Sequence, residues 1–226
     1  MYIGITFENY KFKLMKNLIY IPIIHSGADM GSTAAGLTQK SINEFGKNFW
    51  ETHIETINKY WDIISQYCDT INFGDHTIKI YQDGMIADSE IADKIIEDSV
   101  KAGSKNYEII SKILKRGAVI VQTEELSMVK KELKMLKSIP SSNSLFFQLI
   151  RIFKFKINRS KLLKQRDKYI ANRITATLDP NDLSIIFIGA YHKVSDKLPK
   201  DIVINELKGI SKIRGNIKKF FFSTTN

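Results

Sequence analysis

One cysteine, no apolar run approaching bilayer length and no glycine-rich phosphate loop are the chain's clearest shortages, and each removes a class of protein. Cys68 on its own forms no intramolecular disulfide and supplies no thiol cluster for structural zinc, so a disulfide-stapled scaffold is excluded and a reducing cytoplasm is the expected compartment. Set between Tyr67 and Asp69, it reads as a buried, inert thiol. A bilayer-crossing helix needs about 20 consecutive apolar residues, and none occur. The N-terminus lacks the charged, apolar and small-residue regions of an export signal. Met15 directly precedes the first strong strand, so residues 1–14 read as an N-terminal extension. Gly27 and Gly31 make neither a Walker loop nor a GxGxxG turn, which leaves dinucleotide binding without support.

What remains is ordinary globular material. With 226 residues, 43% hydrophobic and 26% charged, the chain is long enough to bury a substantial core and is expected to form one domain over residues 1–226. Its basic character is local. Twelve Lys and Arg residues face only Glu132 and Asp167 between Ser127 and Ile170, an excess equal to the formal net charge of +10 for the whole chain. Within that stretch Leu145, Phe146, Leu149, Ile150 and Phe153 recur at helical spacing, with Gln148, Arg151 and Lys154 opposite, which predicts a short basic amphipathic helix. A helix covering the core with a solvated basic back is the plainest reading. Contact with a membrane surface or a protein partner through residues 145–164 comes next, and nucleic acid last, because no recognition-helix, zinc-finger or RNA-binding motif accompanies the charge.

Along the chain, strand and helix patterns alternate. Leu18–Ile24 is a continuous apolar run, broken by the small, glycine-rich loop from His25 to Ser32; Pro22 argues for a bulge or an edge-facing position. Ile42, Phe45, Phe49, His53, Ile57, Trp61 and Ile64 mark a long amphipathic helix, with His53 expected as a hydrogen-bonded core residue and His76 as a loop residue. Strands follow at residues 78–81, 118–121, 183–188 and 202–204, with helices at 88–102 and around 109–114, then a basic helix and a second helix from about Ser160 to Leu178, and a terminal helix. Residues 138–165, opening on Pro140 and several serines, read as an added basic helical segment, an insertion or flexible stretch. The fold class implied is α/β, a mostly parallel central sheet flanked by helices on both faces.

Such sheets bind ligands beyond the carboxyl ends of their strands. Four strand ends here carry polar side chains: His25 with Asp29, Gln82 with Asp83, Glu124 with Glu125, and His192. Turns and helix caps favour the same residue types, so it is their convergence that points to chemistry. Two imidazoles with one or two carboxylates suit a catalytic divalent metal, held by His25 and His192, and equally suit metal-free general base work; the spacing leaves both open. Arg166, Tyr169 and Arg173 share one helical face, from which the arginines would grip a small anionic ligand or orient a carboxylate. Asp29, Gln82, Asp83, Tyr169 and Arg173 complete the expected substrate-binding set.

Three segments carry a resemblance. Pro22-Ile23-Ile24-His25 ends a strand in histidine, Arg166-Asp167-Lys168-Tyr169-Ile170-Ala171 opens a helix, and Gly189-Ala190-Tyr191-His192 ends a strand in Gly-x-x-His. Scattered over residues 18–195, they resemble the TraB/Tiki superfamily, which includes erythromycin esterase-like and haem-binding ChaN-like proteins. The first motif departs from the pattern in lacking its glycine. The resemblance implies one hydrolytic site with His25, Glu124, Arg166 and His192 as its catalytic set. In that expectation a divalent metal or His25 activates water, Glu124 or Asp29 assists as ligand or base, and Arg166 stabilises developing negative charge. The alternative is a non-catalytic regulatory protein holding a small ligand or haem.

Overall fold

Two strands are buried on both faces, and their sequences show why. Lys16–Ile23 (β1) and Leu183–Gly189 (β4) are near-continuous runs of branched apolar residues, the pattern a strand needs when helices cover it above and below. The computed structural model describes residues 16–24, 38–39, 42–43, 45–137, 145–180 and 182–206. After β1 come helix α1 (Lys47–Thr70), strand β2 (Ile78–Gln82), helices α2 (Ser89–Lys101) and α3 (Lys105–Lys115), and strand β3 (Val119–Val121). Helices α4 (Leu126–Lys137) and α5 (Leu145–Thr177) then lead to β4, a short 3₁₀ turn (Ser195–Lys197) and strand β5 (Ile202–Glu206).

The five strands form one wholly parallel sheet in the order β3-β2-β4-β1-β5. Alternate side chains separate two cores. Ile19, Ile21, Ile23, Ile78, Ile80, Ile185 and Phe187 pack with Ile57, Tyr60, Trp61 and Ile64 of α1, Ile96 of α2 and Ile110 and Ile113 of α3. On the opposite face Leu18, Tyr20, Tyr81, Ile186 and Ile188 meet Ile170, Ala171 and Ile174 of α5, with Leu178 just beyond it. Helices therefore flank both faces, as the alternating pattern predicts.

The chain leaves β2 toward β3 at one edge of the sheet and leaves β4 toward β5 at the other. Neighbouring strands whose connections diverge in this way open a crevice at their carboxyl ends, so the β2/β4 boundary is the topological switch point.

Several expectations change in detail. The two helices expected over residues 145–178 are one: a single helix runs from Leu145 to Thr177, with no glycine or proline to interrupt it. Residues 138–144, and the terminal helix expected beyond Glu206, lie outside the described residues. Pro22 belongs to a central strand without a bulge. Among the described residues it lies beyond the last β1–β5 partner pair, Tyr20 with Glu206, and its carbonyl accepts the Tyr60 hydroxyl. His53 is buried on α1 beside Trp50, and His76 is exposed in the loop before β2. Cys68 is buried, and burial together with the nearby Asp69 charge pushes its thiol up to about 12, so it is not a nucleophile at neutral pH.

Candidate active site at the switch point

Asp83, the first residue past β2, is fastened to β4 twice. Its amide donates to the Phe187 carbonyl (2.9 Å), and its Oδ2 accepts the Gly189 amide (2.9 Å), which prolongs the β2–β4 ladder by a side-chain rung. Gly189 is required there, because a Cβ would stand 2.7 Å from Asp83 Oδ2. Gly84 turns the chain with φ 80° and aims its amide at Glu124 Oε1 (3.2 Å). The turn after β3 is stitched to the same place: Thr123 and Glu124 both donate their amides to Met85 O (2.9 Å each), and Thr123 Oγ1 accepts the Gln82 amide (3.0 Å). Glu124 is thereby held with no exposed surface.

From α5, Arg166 enters this group with its fork turned to carboxylates on three sides. Nε donates to Glu124 Oε2 (2.6 Å) and Nη2 to Asp83 Oδ1 (2.9 Å); Nη2 also reaches Glu124 Oε1, and Nη1 reaches Glu132 of α4. The bidentate grip on Glu124 uses the planar geometry that distinguishes arginine from lysine. The next residue, Asp167, also points inward. Its Oδ1 lies 2.6 Å from His192 Nδ1, and its Oδ2 accepts the Lys193 amide (3.1 Å). The other ring nitrogen of His192, Nε2, faces Asp83 Oδ2 at 3.4 Å. Asp83 is thus the link between the guanidinium and the imidazole.

These contacts set the charges. Burial pulls the His192 pKa down, but the bonds to Asp167 and Asp83 outweigh it and raise the value to about 9, so the ring is a cation at neutral pH. Burial alone would raise Asp83, yet His192 and Arg166 hold it far below the ordinary carboxylate range. Glu124 moves the other way: burial, assisted by the Asp83 charge, raises it in spite of Arg166. Two carboxylates sharing one guanidinium are driven apart in acidity, a separation that assigns different acid–base roles to similar groups.

Of the residues expected from the sequence, Glu124, Arg166, His192 and Asp83 come together. His25 and Asp29 lie outside the described residues, although β1, which leads to them, ends level with Gly189. Gln82 is buried beside the cluster, donating Nε2 to Asp83 O (3.0 Å), with Oε1 unpartnered among the described residues. Arg173 donates Nε to Gln122 O (3.1 Å) and so braces the exit of β3, and Tyr169 is half-buried on α5 without a bond to the cluster among the described residues. Glu125 opens α4 by accepting the Ser127 hydroxyl (2.6 Å). Two members were not expected in the site from sequence, although Asp167 stands in the quoted Arg166-Asp167 pair. Asp167 is visible in hindsight as a carboxylate in the stripe of Ile170, Ala171 and Ile174; Glu132 offers no signal beyond being the lone acid among the lysines of α4.

Donor atoms of Asp83, Glu124 and His192 lie within 4.8 Å of one another, close enough to surround a cation. Arg166 already bonds both carboxylates, with Gly84 and Gly189 adding amides, so a cation at this place would compete with the guanidinium for the same oxygens. Fold and site together define an α/β protein with a buried acid–base cluster at its switch point. No family model matches the chain, and no characterised protein or solved structure does either.

Proposed function

We propose that the chain is a cytoplasmic hydrolase, TraB/Tiki-like in its motifs, whose reacting groups gather around His192. One observation supports this above the others: a single carboxylate, Asp83, stands between a buried guanidinium and a buried imidazole in the crevice where parallel sheets receive ligands. In this reading His192 gives the proton on Nε2 to the leaving group as general acid. Glu124, the carboxylate with raised pKa, takes the proton of the attacking water and later returns it to the imidazole, so each turnover restores the starting charges. Arg166 keeps both carboxylates aligned while this happens.

The purified full-length protein should be assayed against ester, amide and phosphoester substrates, with and without a chelator, beside His192→Gln and Glu124→Gln variants whose folding is checked by circular dichroism. Turnover of one class, unchanged by the chelator and reduced about 10²–10⁴-fold in each variant, is the expected result. Turnover indifferent to His192→Gln sinks the mechanism. Saturable binding of haem or a small ligand without any turnover would move the chain to the regulatory class.

A further inference from the structure

Asp167 spends both of its oxygens on one turn. Oδ1 meets the His192 ring at Nδ1 (2.6 Å) and Oδ2 holds the next backbone amide, Lys193 N–H (3.1 Å), so ring and main chain are fixed by the same carboxylate. The residue is 2% exposed on the inward stripe of α5, where a carboxylate is costly unless fully engaged. An ionised carboxylate only accepts hydrogen bonds. The hydrogen in the 2.6 Å contact therefore belongs to Nδ1, and Nε2 is left as the nitrogen turned to Asp83 Oδ2.

We infer that Asp167 is a positioning residue: it locks the proton on Nδ1 and thereby presents Nε2 as the atom through which His192 exchanges protons. This deepens the acid–base reading above and rests on it for its catalytic meaning. Among the described residues, the charged groups nearest the ring are Asp167 on α5, Asp83 after β2 and Glu124 within 4.8 Å, with Arg166 one contact further on through Asp83 and Lys193 following in the chain. Asp167 bonds Nδ1 directly while Asp83 faces Nε2 at ion-pair distance, so exchanging the group on Nδ1 is the change that redirects the ring.

Substitution Asp167→Asn makes the inference sharp. The Lys193 amide still demands an oxygen, so the asparagine carbonyl goes there and its NH₂ group faces Nδ1, forcing that nitrogen to become an acceptor. The neutral ring then carries its single proton on Nε2.

Long-range ¹H–¹⁵N NMR of the full chain, labelled at histidine, reads this directly and needs no substrate. The wild type should show a protonated Nδ1 throughout the neutral range, and Asp167→Asn should show the Nε2–H neutral tautomer, with any hydrolytic kcat lowered about 10²–10⁴-fold. Asp167→Glu, which keeps an acceptor pair, should restore the Nδ1 proton and part of the rate. A wild-type ring unprotonated at Nδ1 overturns the inference whether or not any variant folds, and so do identical ring shifts in wild type and Asp167→Asn. Should no substrate be turned over while the ring shifts behave as expected, the positioning role stands and only the hydrolase reading fails.

Discussion

His192 couples a proton to the folded state. Its folded pKa of about 9 lies above the ordinary 6.5, so the stability it contributes is fully present below about pH 6.5 and is lost as pH rises through 9. The gap corresponds to roughly 3 kcal/mol. Urea denaturation at a series of pH values should show stability falling from near neutrality to pH 9 in the wild type, with a flatter profile in His192→Gln; equal slopes for the two proteins would refute the coupling. This residue, with Asp83 and Glu124, was readable from sequence because polar side chains recur just past several apolar strand runs, which a parallel sheet brings to one end. Asp167 was harder to read. It lies inside a helix, where one carboxylate among apolar positions looks like a charge next to solvent until the fold turns that face onto the sheet.

Helix α5 has two roles, closing the second core with Ile170, Ala171 and Ile174 and delivering Arg166 and Asp167 to the site. Its continuity was not legible, since the shift from one apolar stripe to another around residue 157 imitates a break while nothing in the backbone imposes one. A guanidinium surrounded by Glu124, Asp83 and Glu132 is poorly replaced by nothing. Arg166→Ala should destabilise the protein by about 3–5 kcal/mol, since it strands buried carboxylates. Pairing it with Glu124→Leu as Arg166→Met should cost less than the sum of the two single changes, measured as a double-mutant cycle in urea. Strict additivity would show that the two side chains do not act as a unit.

At the scale of the molecule, the alternation of strand and helix made a parallel sheet legible, and the structure has one without exception. Strand order was not legible, because it depends on which face each crossover packs against, and local patterns carry no record of that. The observed order puts β4, residues 183–189, between β1 and β2. During synthesis the first two strands therefore do not pair with each other, and β1 waits for a segment made much later. A fragment ending at residue 178 keeps the β2–β3 pair but leaves β1 with no sheet neighbour, so its β1 amides should exchange freely with solvent; protected β1 amides in that fragment would contradict the topology. Only β1 is left bare, because β2 meets β3 early: both sheet neighbours of β1, residues 183–189 and 202–206, are made last, so this topology leaves an apolar strand open to other nascent chains through most of synthesis.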